Sequence, residues 1–184
     1  MDLNSKIDRA LYIANKLKNI KYLQWTKQST DTDIMFCCDH TLSYKKLKEV
    51  GINCTGVINF IRLKLGLKLP DARGLRGGTY FWHNYFKTNN MLEIFDYTKN
   101  YPIGTLFLRR YRNEIDQGHV AIYFKKSRGQ PDKLLYGDII HAWYNRKPTD
   151  GMVCTSMLGT LHFSPIGGKK GYFEYAIHPK YWLN

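Results

Sequence analysis

The sequence predicts an α+β domain in which helices come first and an antiparallel sheet follows. Near the amino terminus, Ile7, Ala10, Leu11, Ala14 and Leu17 fall on the 3.6-residue helical period. After Gly104 the runs TLFLRRY, HVAIYF, KLLYGDIIHAW, MVCTSMLGTLHF and YFEYAI are rich in β-branched and aromatic residues, and the turn-forming segments SRGQPD, NRKPTDG and SPIGGKKG separate them. With 184 residues, 43% of them hydrophobic and 23% charged, the chain is long enough for one packed core. It reads as a single domain over residues 1–184, with no repeat, low-complexity tract or linker.

Taken in order, Ser5 is expected to cap the first helix. Residues 26–42 are polar and turn-rich. Ser43 opens a short helix, YKKLKEV, which Gly51 stops. A further helix starts near Cys54 and runs through CTGVINFIRLKL to Gly66, with Pro70 beyond it. Residues 71–90, with their glycines and the aromatic cluster YFWHNYF, read as an irregular insertion. The strand-rich half then forms a meander.

Lys and Arg number 28 against 15 Asp and Glu, a formal net charge of +13. That excess suits an anionic partner. The cations are scattered as KKLK at 45–48, RR at 109–110 and KK at 125–126 and 169–170, so a solvated basic surface is the default and nucleic-acid binding the minority reading. The amino terminus alternates charged and apolar residues, unlike a signal peptide, and no stretch approaches the ~20 apolar residues of a membrane-spanning helix. The expectation is an unexported, soluble, intracellular protein whose four cysteines are free thiols. Its Lys-, Asn-, Ile- and Tyr-rich usage is that of an AT-rich genome, as in a large DNA virus or a parasite.

Cys54 stands at the expected start of an amphipathic helix. Unsatisfied backbone N–H groups and the helix dipole favour a thiolate there and can hold the oxyanion of an acyl-transfer intermediate. An isolated cysteine more often just packs, so a base is needed. His119 begins the most strand-like run, and alternation puts it on one face with Ala121 and Tyr123. His141 follows 22 residues later. A hairpin symmetric about Gln130 would pair the two histidines directly, with Cβ atoms ~4.5–5.5 Å apart. His141 would then orient His119, completing a nucleophile–base–orienter triad, whereas a one-residue bulge would move it to the other face.

These segments together resemble the NlpC/P60 cysteine peptidases of the papain-like superfamily. Asn53-Cys54-Thr55-Gly56-Val57 is similar to the family's Asp-Cys-Ser-Gly nucleophile segment, and Tyr101-Pro-Ile-Gly-Thr-Leu to its Pro-Gly-Asp-Leu strand. Gly118-His119-Val-Ala-Ile-Tyr123 resembles its His-Val-Gly-Ile-Tyr strand, and Ile139-Ile-His141-Ala the segment of its third, polar triad residue. Ile20-Lys-Tyr22 resembles the segment whose tyrosine lies beside the cysteine. The ordered set covers most of residues 7–145, with Asn53, Thr55 and Thr105 departing from the family's usual residues and with longer insertions at 26–50, 71–95 and 125–135.

The resemblance implies a papain-like fold and a Cys54, His119, His141 triad with Tyr22 beside it. It implies hydrolysis of an amide bond in a peptide, isopeptide or peptidoglycan-like substrate through a thioester. Such a mechanism requires no metal or organic cofactor. Two other classes compete: a lipid-directed acyl hydrolase or transferase, and a non-enzymatic basic binding module on a degenerate hydrolase scaffold.

The remaining chemistry-bearing residues read more plainly. Adjacent Cys37 and Cys38, with His40, lack the spaced second ligand pair of a zinc site. Cys154 reads as a core strand residue, and His162 and His178 as structural histidines among apolar strand residues. His83, within the aromatic cluster, reads as part of a core or lid cluster in preference to a groove-lining residue.

Overall fold

The computed structural model describes residues 1–24, 36–38, 41–70, 78–113, 116–126, 137–143, 151–158 and 172–184. Helix α1 spans Leu3–Lys16 and buries Ala10, Ile13 and Ala14, the face expected from the periodicity. Asp2, not Ser5, caps it: the Asp2 carboxylate accepts from the Ser5 backbone N–H at 2.9 Å and from the Ser5 hydroxyl at 2.9 Å. Both residue types cap well, and the one immediately before the first helical residue wins.

Helix α2, Tyr44–Val50, is capped by Ser43 and stopped by Gly51, whose φ of 96° few other residues adopt. Helix α3, Cys54–Lys64, is buried on every side from Cys54 through Arg62. Such an all-round apolar helix belongs in the centre of a fold. Its far end is anchored by the Arg62 guanidinium, which donates to the carbonyls of Lys68, Trp182 and Asn184 and so ties the helix to the chain's last residues.

Residues 79–88 correct the expectation of an irregular insertion, because they form helix α4, Thr79–Thr88. Phe81, Trp82 and Phe86 are buried and Tyr80 is exposed: Trp82 stacks on Phe86 with centroids 5.1 Å apart, and the Trp82 indole N–H donates to Asn59 Oδ1 of α3 at 2.8 Å. Burial against α3 overrides the weak helix propensity of aromatic residues.

Among the described residues the sheet has six antiparallel strands: β1 (Glu93–Ile94), β2 (Leu106–Arg109), β3 (His119–Lys126), β4 (Gly137–Trp143), β5 (Met152–Leu158) and β6 (Tyr175–Ile177), in spatial order β1-β6-β2-β3-β4-β5. A short helix α5, Pro179–Trp182, closes the chain. The α+β class with helices against an antiparallel sheet is therefore as expected. Both sheet faces are covered. Leu106, Leu108, Val120, Ile122, Ile140, Ala142 and Val153 pack into the core shared with the helices. Phe107, Ala121, Tyr123, Ile139 and Ala176 join Phe95, Tyr97, Tyr101 and Phe173 in a second, aromatic cluster.

The β3–β4 register differs from the symmetric hairpin. Lys126 pairs with Gly137 and Lys125 with Asp138, but Tyr123 pairs with Ile139 and Ile122 with Ile140. One residue, Phe124, is extra. Carried inward, this register sets Ala121 opposite His141 and His119 opposite Trp143, so the two histidines are diagonal neighbours on one face. Without the bulge the outer register would set His141 opposite Ile122, on the helix side. The bulge therefore brings the histidines together, where the sequence reading had it separating them. The turn centred on Gln130 lies outside the described residues.

Candidate active site

Cys54 is the first residue of α3. The Asn53 carboxamide caps the helix, accepting from Gly56 N–H at 2.7 Å and from the Thr55 hydroxyl at 3.1 Å. Gly56 is required by close packing: a Cβ there would come within 2.9 Å of Ile52 and 3.2 Å of the Cys37 sulfur. Tyr22 is brought alongside by its backbone, which forms a parallel bridge with Ile52 two residues before the nucleophile, while its N–H donates to Gly151 at 2.7 Å.

The Cys54 sulfur lies against the backbone at the start of β3, where the Val120 N–H faces it together with the N–H groups of Thr55 and Cys54 itself. Burial raises the thiol pKa and the three amides lower it. Burial prevails, and the pKa rises to about 11. This corrects the expectation of a depressed thiol: the helix terminus acts as anticipated, but the desolvation of a residue only 8% exposed outweighs it.

His119 opens β3 directly after Gly118, whose φ is 74° and where a Cβ would collide with the Arg109–Tyr111 backbone at 2.6–2.7 Å. Only glycine fits that approach. The His119 ring lies on the aromatic face. Its Nε2 is 2.7 Å from His141 Nδ1, and the rings of Trp143, Tyr172 and Phe173 surround it with centroids 4.8, 6.0 and 6.2 Å away. His141 lies nearly parallel to Trp143, at an interplanar angle of 4°. Its Nε2 is 2.8 Å from Ser156 Oγ on β5.

Both histidines are almost fully buried. Burial holds His119 well below the ordinary imidazole range, with further lowering from His141 and from Arg109, the residue paired with it across β2. Burial likewise pulls His141 down to about 3. The resting pair is neutral. Arg109 is itself held by the Asp116 carboxylate, with N···O distances of 3.1 and 2.6 Å, and lies over the Tyr172 ring at 4.9 Å.

The structure thus joins His119 to His141 and sets the Cys54 sulfur at the amide next to His119. Among the described residues no hydrogen bond joins the thiol to either imidazole. Nε2 of His119 is taken by His141 on the aromatic face, whereas Cys54 belongs to the helix-side core, so the structure does not bring the thiol and the imidazole into contact. Ser156 was missed by sequence reasoning: a serine inside a strand carries no signal until the β4–β5 register is known.

The other residues sort as follows. Cys37 is buried beneath Gly56, and its thiol is pushed up strongly by burial. Cys38 accepts from the Asn59 amide at 4.0 Å. His40 and His162 lie outside the described residues. His83 is buried in α4 with its ring 5.3 Å from Tyr175, in keeping with a core role. His178 corrects the expectation of a structural histidine among apolar strand residues: it is exposed just past β6 and accepts from Lys180 N–H at 3.1 Å, capping α5. All four cysteines are free thiols. Among the described residues no three His, Cys, Asp or Glu side chains gather as a metal site, and no helix is long and apolar enough to cross a membrane. Compared with known protein families, curated proteins and solved structures, the chain matches none.

Proposed function

We propose that this protein is a thiol hydrolase of amide bonds, with Cys54 as nucleophile, His119 as base and His141 as the group that orients the base. A papain-like, NlpC/P60-type arrangement is the frame for this reading, and a peptide, isopeptide or peptidoglycan-like molecule its substrate. One observation carries it: a buried thiol rests on the Val120 amide while the adjoining residue's imidazole is held at 2.7 Å by a second buried histidine. Cys37 is buried in the same core, where burial and the neighbouring Cys38 raise its thiol pKa.

The chemistry follows from neutral partners. A substrate carbonyl reaches the sulfur, and the thiol proton passes to His119 Nδ1 as the C–S bond forms. The thiol and the imidazole are not in contact in the free protein, so this step requires substrate binding to bring them together. The amide N–H of Cys54, at the helix's first position with no helical acceptor, holds the oxyanion, with Tyr22 as the proposed second donor. The C–N bond breaks as His119 returns its proton to the leaving amine. Water then attacks the thioester, giving its proton to His119, and the thiol is restored as the acid departs.

The test is a hydrolysis screen of wild type against Cys54→Ala on peptide, isopeptide and cell-wall peptide amides, with acyl lipids as a separate arm. Cleavage of an amide by wild type alone, with acyl-Cys54 detected by mass spectrometry at short times, is the expected result. Equal turnover by the two proteins, or cleavage confined to acyl lipids, would reject it.

A further inference from the structure

The hydrogen-bond chain does not end at His141. On β5, Ser156 Oγ is 2.8 Å from His141 Nε2, and Cys154, which pairs with His141 across the β4–β5 register, stands two residues before Ser156 on the same face. The chain therefore runs His119, His141, Ser156, with all three residues on the aromatic face. A neutral imidazole carries one proton, so the two rings and the hydroxyl must order their protons jointly.

Two orders exist. In one, His119 Nε2–H donates to His141 Nδ1, and His141 Nε2–H donates to Ser156 Oγ. His119 Nδ1 is then bare and able to take a proton from Cys54. In the other order every bond is reversed, Nδ1 of His119 carries a proton, and the ring cannot act as a base. Once His119 is an imidazolium only the first order is left, because both its nitrogens donate. Ser156 must then accept from His141, in an interior where an orphaned N–H is costly.

Building on the thiol-hydrolase reading, we propose that Ser156 is a positioning residue for that reaction: by accepting from His141 it sets the tautomer of the histidine pair so that His119 keeps a bare Nδ1 for the proton of Cys54. It touches neither substrate nor sulfur and acts through His141. Cys154, read from the sequence as a core strand residue, is instead partly exposed on β5.

The test needs no substrate, so its failure is separable from that of the hydrolase reading, which the Cys54→Ala screen decides. In protein labelled with ¹⁵N-histidine, two-bond ring correlations report which nitrogen of His119 and His141 is protonated. Wild type is expected to show both rings protonated on Nε2. Ser156→Ala should populate the Nδ1–H form of His119, lowering the bare-Nδ1 population by roughly tenfold, the scale of losing one hydrogen bond of this kind. Ser156→Thr, which keeps the hydroxyl, should restore it. The resonances of exposed His178 serve as the folding control. Nδ1-protonated His119 in wild type, or the same tautomers in wild type and a folded Ser156→Ala, would overturn the proposal.

Discussion

The two faces of the sheet are equally well covered but chemically unlike. The helix-facing side is aliphatic: Leu106, Leu108, Val120, Ile122, Ile140 and Val153 interlock with α1 and α3. The other side alternates rings with polar groups, so that His119, His141 and Ser156 sit among Trp143, Tyr172 and Phe173. Strand β3 serves both. Its even-numbered residues hold the helices, its first odd-numbered residue supplies the imidazole, and its Val120 amide meets the thiol. The helix side secures the fold and carries the thiol, and the aromatic side carries the histidine pair, so variants on the two sides should fail in different ways.

The largest effect on stability is expected on the helical side. Phe60 is 1% exposed and packs edge-on to Tyr44 at 5.1 Å, and Phe60→Ala should cost about 3–5 kcal/mol in denaturant unfolding. A comparable loss from His141→Asn at neutral pH would break the division between the faces.

The second effect is a pH signature of the aromatic side. The folded-state pKa values of His119 and His141 are depressed below the ordinary 6.5, so their neutral burial contributes fully above pH 6.5. That contribution is lost as the pH falls toward about 3, because the unfolded chain takes up protons first. Thermal unfolding followed from pH 7 to 4 should show wild type losing more stability than His141→Asn. Parallel curves would mean that the pair is not buried neutral.

Much of this plan was legible in the sequence because it is local. Ser43 and Gly51 bracket α2, Asn53 caps α3 with Cys54 at its first position, and the HVAIYF run is β3. What was not legible is tertiary. The buried stripe of α4, Thr79, Trp82, His83 and Phe86, follows the helical period, but Tyr80 and Tyr85, aromatic residues that are not buried, blur it in the sequence. The Phe124 bulge leaves no mark in composition, yet it decides which face His141 takes. The thiol pKa was read from the helix end alone, whereas burial, a property of the whole fold, sets its direction. Ser156 becomes visible only once two strands are in register.

Site-resolved alkylation by iodoacetamide at pH 8, comparing wild type with His119→Gln, tests the central claim most directly. If the imidazole beside the Val120 amide accepts the thiol proton, Cys54 labelling should fall by roughly tenfold or more in the variant while Cys154 labelling stays unchanged. Equal Cys54 labelling rates in the two folded proteins would contradict it, and the thiol and the histidine pair would then be neighbours without a shared task.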